Sequence, residues 1–71
     1  MYTRSLRKEF HTRMFTIRPA GASGWEVRDQ TDGSIVKRAV YDDWHRVERA
    51  LALFQREEEA LRAGGWVPLP E

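Results

Sequence analysis

The chain has 71 residues, no cysteine and two histidines, and its twelve basic and eleven acidic residues give a net charge of +1. A chain of this length forms one small domain, which excludes a multidomain enzyme and a long repeat array. Small domains often need disulfides or a bound metal, because a core below about 80 residues supplies only about 3–5 kcal/mol. This composition offers neither support, so packing or a partner has to stabilise the fold.

The first thirteen residues differ from the rest in charge. They have a net charge of +3, from Arg4, Arg7, Lys8 and Arg13 against Glu9, whereas the remaining residues sum to −2. We interpret residues 1–13 as a basic N-terminal extension of the fold. Three descriptions of it stay open: a disordered segment, one helical turn with Leu6 and Phe10 on the same side, or a variable leader before a translation start at Met14.

Three segments have the pattern of β-strands, at about 13–19, 24–30 and 34–41. Phe15 and Ile17 alternate with polar residues in the first, and Trp25 and Val27 do so in the second. The third is rich in β-branched residues and follows Asp32-Gly33, a strong hairpin signal. The segments therefore predict a three-stranded antiparallel meander.

The register of the second hairpin has two solutions. A two-residue turn on Asp32-Gly33 places Arg28 opposite Lys37, which is a repulsive pair. A three-residue loop that includes Thr31 places Glu26 opposite Arg38 and Trp25 opposite Ala39, and we prefer this register. It predicts that Lys37 lies on the inner face together with seven apolar or aromatic residues, namely Phe15, Ile17, Trp25, Val27, Ile35, Ala39 and Tyr41.

A long helix is predicted at about 43–63. Asp42 or Asp43 is a suitable N-cap, because a short carboxylate accepts hydrogen bonds from the first backbone amides. Gly64-Gly65 is typical of a helix C-terminus, with Trp66 folding back on the last turn. The apolar residues lie on one stripe at helical spacing, namely Trp44, Val47, Ala50, Leu51, Phe54 and Leu61. These elements predict an α+β domain over residues 14–66, in which the helix packs on one face of the meander.

Two expectations concern the end of this helix. A helix of twenty residues is about 30 Å long and a seven-residue strand about 23 Å, so the last turns should extend past the sheet and leave Glu58 in water. Residues 67–71 contain two prolines and are predicted to be a flexible tail.

The sequence offers no convincing catalytic or metal site. Asp42, His45 and Glu48 lie at i, i+3 and i+6, but a four-ligand metal site needs further ligands, and the simpler interpretation is a helix cap beside a solvated histidine. The chain has neither a nucleophile elbow nor a phosphate-binding Gly-rich loop with a lysine. We predict a protein that is not an enzyme and holds no cofactor or metal.

One helix covers one face of a sheet, so the other face is available to a partner. The candidate interaction residues are Arg18, Arg28, Val36, Arg38 and Val40 on the sheet and Leu53 on the helix. The preferred prediction is a module that binds another protein or a second copy through Val36, Val40 and Leu53. The alternative is a module that binds nucleic acid through the sheet arginines and the basic N-terminal segment.

The sequence also bears on location. It has no apolar run of the about 20 residues that a membrane span requires, and its N-terminus lacks the apolar core of a secretory signal. We predict a cytoplasmic protein with no membrane contact. Of the twelve basic residues, Lys8 and Lys37 are the lysines and the rest are arginine, which is typical of a GC-rich bacterial genome.

The segments Met14-Phe15-Thr16-Ile17-Arg18-Pro19 and Gly24-Trp25-Glu26-Val27-Arg28 carry a resemblance. With the hairpin and capped helix that follow, the chain resembles small uncharacterised bacterial domains whose second strand begins Gly-Trp-x-Val. The resemblance spans about residues 14–62 and implies a β-β-β-α fold without a site. More distantly, the layout is similar to the three-stranded DNA-binding domains of plant ethylene-response factors and phage integrases. Those domains read DNA with arginine and tryptophan on the sheet, whereas this chain has little net charge and Trp25 is predicted to be buried.

Overall fold

The computed structural model describes residues 2–70, which form an α+β fold of five strands and one long helix. The sheet is antiparallel, with the strand order β4-β3-β2-β1-β5. A short 3₁₀ turn at Gly21–Ser23 connects the second and third strands. The α+β prediction is confirmed, and the predicted count of three strands is corrected to five. The elements are β1 (Tyr2–Lys8), β2 (His11–Pro19), β3 (Trp25–Thr31), β4 (Ser34–Tyr41), α1 (Trp44–Ala63) and β5 (Val67–Pro68).

The strand β1 is one of the two that the sequence did not predict, and it lies within the predicted N-terminal extension. It pairs with β2 along its whole length, and Leu6 is completely buried in the core. Burial of one leucine contributes about 2 kcal/mol, a large share of what so small a core supplies. No hairpin signal marks this turn in the sequence, because it consists of Glu9 and Phe10. Glu9 adopts a φ of 55°, which is uncommon for a residue other than glycine, asparagine or aspartate.

The fifth strand lies in the predicted flexible tail and depends on β1. Val67 lies opposite Arg7, and Pro68 lies opposite Leu6. The backbone N–H of Leu69 donates a hydrogen bond to the Ser5 carbonyl oxygen at 2.8 Å. Because the prediction left β1 out of the sheet, it offered these residues no neighbouring strand. Glu71, the last residue of that predicted tail, lies outside the described residues.

The hairpin between β3 and β4 differs from the preferred register. Its turn has two residues, Asp32 and Gly33, with φ values of 51° and 81° as in a type I′ turn. A β-bulge then leaves Val36 without a partner, since Gln30 pairs with Ile35 and Asp29 with Lys37.

The bulge shifts the rest of β4 by two residues from the predicted pairing. Trp25 lies opposite Tyr41 rather than Ala39, and Glu26 lies opposite Val40 rather than Arg38. A shift of two residues preserves the face of the sheet, so Ala39 and Tyr41 still lie on the side of α1. Residues on the turn side of the bulge change face instead, and Ile35, predicted to be internal, is half exposed.

The helix begins and ends where the sequence indicates. Asp43 caps its N-terminus, and its Oδ1 accepts a hydrogen bond from the His45 backbone N–H at 2.9 Å. At the C-terminus Gly65 adopts a φ of 98°, and the Trp66 backbone N–H bonds to the Leu61 carbonyl at 3.0 Å. This arrangement is a Schellman motif, in which glycine takes the left-handed conformation.

The core lies between α1 and the sheet. The Phe15 and Phe54 rings lie 4.8 Å apart between centroids and join the sheet to the helix. Trp25 and Trp44 meet edge to face at 5.1 Å beside the core, although Trp44 remains half exposed. The buried apolar residues are Leu6, Phe15, Ile17, Val27, Val47 and Phe54.

Glu58 is not in water, contrary to the prediction. Its side chain is 15% exposed, and its Oε2 accepts a hydrogen bond from the Tyr2 hydroxyl at 3.2 Å. Arg4 Nε lies 3.9 Å from the same oxygen. Both partners belong to β1, the strand that widens the sheet beneath the last turns of α1.

Gly24 provides a test of how closely β3 and β4 approach. It has a φ of 103°, and a Cβ there would overlap the Tyr41 carbonyl oxygen and lie 2.8 Å from the Asp42 Cα. We expect Gly24→Ala to lower the free energy of unfolding by at least about 2 kcal/mol in urea denaturation. Gly21→Ala is the matched control, because its φ is 62° but nothing lies within 4 Å, and it should cost about 1 kcal/mol. Equal losses would show that the close approach is unimportant.

Candidate functional site

The face of the sheet away from α1 carries no second layer within residues 2–70, and we call it the open face. Its composition follows from the strand register, since alternate residues of each strand point away from the helix. Most of its side chains are polar, and its apolar members are Met14 on β2 and Ile35 and Val40 on the edge strand β4. From β1 to β4 the open face consists of Thr3, Ser5, Arg7, Thr12, Met14, Thr16, Arg18, Glu26, Arg28, Gln30, Ile35, Arg38 and Val40.

The charges of the open face are almost all positive. Four arginines lie on it, and Glu26 is its one carboxylate among the described residues of β1 to β4. The face therefore has a net charge of +3, although the whole chain has a net charge of +1. The arginines are Arg7, Arg18, Arg28 and Arg38.

Glu26 lies at the centre of three of these arginines, which we call the arginine cluster (Arg18, Arg28 and Arg38). Arg18 Nε donates to Glu26 Oε1 at 2.9 Å, and Arg38 Nε donates to Oε2 at 2.6 Å. Arg28 Nε lies 2.7 Å from Oε1, but its N–H is not aligned for a hydrogen bond. The glutamate is 5% exposed even though no helix covers it, because the arginines enclose it.

The strand register explains why these residues meet. Arg18 lies directly opposite Glu26 across β2 and β3, and Arg28 follows Glu26 by two residues on the same face. Arg38 lies opposite Arg28. Two like charges in directly opposed positions are destabilising, so the shared carboxylate of Glu26 allows the arginines to remain together.

The cluster also sets the ionisation of Glu26. Burial alone would raise the pKa of this carboxyl, since it disfavours the charged form. Hydrogen bonds from Arg38 and Arg18, with the nearby positive charges of Arg18 and Arg28, outweigh that effect and hold the pKa below its ordinary value. Glu26 is therefore a carboxylate at neutral pH.

The arginines keep most of their hydrogen-bonding capacity. A guanidinium has five N–H donors, and Arg18 and Arg38 each use Nε alone on Glu26, with no acceptor at their Nη groups among the described residues. The Arg18 and Arg38 side chains are 48% and 53% exposed, whereas Arg28 is 26% exposed. An oxyanion at the surface could therefore bind these donors without displacing Glu26.

The structure brings four of the six predicted interaction residues onto one face. Arg18, Arg28, Arg38 and Val40 share the open face, as the sequence predicts. Val36 is the bulged residue at the edge of the sheet and is 66% exposed. Leu53 lies on α1, beside a groove on the opposite side of the sheet. The role of Glu26 in the cluster was not recognised from the sequence, which predicted for it a single ion pair with Arg38.

Comparison with protein-family models, with curated proteins and with solved structures gives no match, so the geometry alone indicates a function. Within residues 2–70, no three acidic, histidine or cysteine side chains lie close enough together to hold a metal ion, and this includes Asp42, His45 and Glu48. No helix in the described part of the chain is both long and apolar enough to cross a membrane.

Glu26→Gln tests whether the carboxylate stabilises the arginine cluster. A group whose folded pKa lies below its unfolded value stabilises the fold above the unfolded pKa, and this contribution disappears as the pH falls through the folded pKa. We expect the variant to unfold at lower urea concentration than the parent protein near neutral pH. The difference should shrink steadily between about pH 6 and pH 2.

The control for this experiment is Glu59→Gln, which removes the same charge from an exposed position on α1. Its effect on unfolding should be small at every pH. A Glu26→Gln difference that does not vary with pH would mean that the charge of Glu26 contributes nothing to stability.

Proposed function

We propose that this protein binds the phosphate backbone of nucleic acid through the open face of its sheet. The observation that carries the proposal is the arginine cluster, in which three guanidinium groups surround one buried carboxylate and the Nη groups of Arg18 and Arg38 have no acceptor among the described residues. Arginine suits phosphate because its planar fork can donate two parallel hydrogen bonds to two oxygens. Arg7 on β1 extends the positive charge toward the other edge of the sheet.

Pre-organisation favours this function. A long side chain loses conformational entropy when a ligand immobilises it, and that loss reduces affinity. Here Glu26 already holds Arg18 and Arg38 through their Nε atoms. Phosphate binding would then require less ordering than binding to unrestrained surface arginines.

Distribution of charge also favours nucleic acid over an apolar partner on this face. The centre of the open face is occupied by the arginine cluster with Thr16 and Gln30, and Met14 is the one apolar side chain there, whereas Ile35 and Val40 lie on the edge strand. An interface with another protein usually has an apolar centre that is depleted of charge. The preferred prediction, a protein or second copy on this same face, is therefore the weaker candidate.

Fluorescence anisotropy with a labelled single-stranded oligonucleotide of about 20 nucleotides and its duplex tests the proposal, starting at about 50 mM salt. We expect binding that does not depend on sequence and that weakens as salt rises, because each neutralised phosphate releases counterions. Arg38→Ala and Arg18→Ala should each weaken binding about fivefold and reduce the salt slope by about one.

Arg56→Ala is the matched control, since it removes one positive charge from an exposed position on α1. It should leave affinity almost unchanged. The proposal is wrong if neither oligonucleotide binds at low salt, or if Arg56→Ala weakens binding as much as Arg38→Ala does.

A further inference from the structure

The edge strand β4 pairs with β3 on one side, and within residues 2–70 nothing pairs with it on the other. Its outer backbone N–H and C=O groups are therefore available to another strand. A free edge of this kind can accept an extended peptide, which adds one more strand to the sheet. At eight residues, β4 is long enough to offer several such hydrogen bonds.

A groove of about 430 Å³ runs beside this edge, between β4 and α1. Its floor includes side chains of the core, among them Val27 and Phe54. Leu53 lies at its margin and is 54% exposed. A strand added to β4 would place alternate side chains on this side of the sheet, so every second residue of the guest would face the side on which the groove lies.

The charge of the groove indicates what the guest should carry. Three basic side chains line it, Lys37, Arg46 and Arg49, and none has an ion pair among the described residues. The two acidic residues of the groove are both engaged by Arg13, which lies 2.9 Å from Asp29 and 3.7 Å from Glu57. The groove therefore has an unbalanced positive charge.

The same charges disfavour a second copy of the chain. Two β4 strands that pair antiparallel about a two-fold axis near their centres would bring Lys37 and Arg38 of each copy close to the same residues of the other. Like charges opposed across two strands are destabilising. Edge lysines and β-bulges are also common features of strands that avoid pairing with themselves.

We propose that β4 and the adjoining groove bind an extended acidic segment of another protein. The segment adds a strand to β4, its carboxylates on the α1 side pair with Lys37, Arg46 and Arg49, and an apolar side chain packs beside Leu53 over the groove floor. This site lies on the other side of the sheet from the arginine cluster, so it is separate from the proposed nucleic-acid surface.

The probe is a labelled nine-residue peptide, Glu-Thr-Glu-Thr-Val-Thr-Glu-Thr-Glu, with anisotropy as the readout. Its four glutamates and its valine share one face of an extended strand, as the proposal requires. We expect it to bind, and a peptide with lysine in place of each glutamate not to bind. Two further versions carry N-methyl groups at alternate residues, one version in each phase. The backbone N–H groups of alternate residues in a strand point to the same edge, and only one edge of the guest faces β4. One N-methylated version should therefore lose binding, and the other should keep it. Hydrogen exchange should slow at β4 amides that do not pair with β3.

Arg46→Glu combined with Arg49→Glu should weaken binding of the acidic peptide at least about tenfold, because two attractions become repulsions. Arg56→Glu, a charge reversal on the exposed part of the same helix, is the matched control and should change affinity less than about twofold.

Other outcomes would overturn this proposal. Equal binding of the acidic and basic peptides, or of both N-methylated versions, would exclude the charge or the strand pairing. An oligonucleotide whose binding depends on Arg46 and Arg49 as strongly as the peptide does would make the groove a general polyanion site. A dimer in sedimentation that protects the β4 amides without peptide would assign the edge to a second copy.

Discussion

One helix has to cover the apolar face of a five-stranded sheet, and both surfaces of the molecule reflect that constraint. Five strands spaced about 4.8 Å apart measure about 19 Å across, whereas a helix with its side chains is about 10–12 Å wide. The core is therefore concentrated under α1, where Phe15, Val27 and Phe54 meet. The sheet beside α1 at β4 stays partly uncovered, and this uncovered strip is the groove with Lys37 and Leu53.

The same constraint decides the chemistry of the open face. A sheet face without a covering layer has to be compatible with water, so its centre is polar except for Met14. Arginine meets this requirement, since its alkyl part covers the strands while its charge stays solvated. Closely spaced arginines repel one another, and Glu26 compensates for this at the cost of its own burial. A cluster built in this way holds its guanidinium groups in place before any ligand arrives.

Local signals in the sequence were sufficient for the helix and for the three strands β2, β3 and β4. Asp43 and Gly65 mark the ends of α1, and alternation identifies β2, β3 and β4. The strand β1 could not be identified, because Arg4 interrupts its apolar alternation and the Glu9-Phe10 turn has no residue that favours a hairpin. In the fold Arg4 lies close to Glu58 of α1, a contact between residues far apart in sequence. For the site, the sequence predicted the arginines, but the shared role of Glu26 depends on pairings across three strands.

The bulge at Val36 is the local feature on which both proposed surfaces depend. With the two-residue turn and no bulge, Lys37 would lie opposite Arg28 on the open face, and Arg38 would lie opposite Val27 on the side of α1. The inserted residue reverses this alternation. It places Ala39 and Tyr41 against the core, Arg38 beside Glu26 and Lys37 in the groove. Pairing without the bulge would shift the register of β4 by one residue. Arg38 would then lie under the helix, and the cluster would lose its third guanidinium.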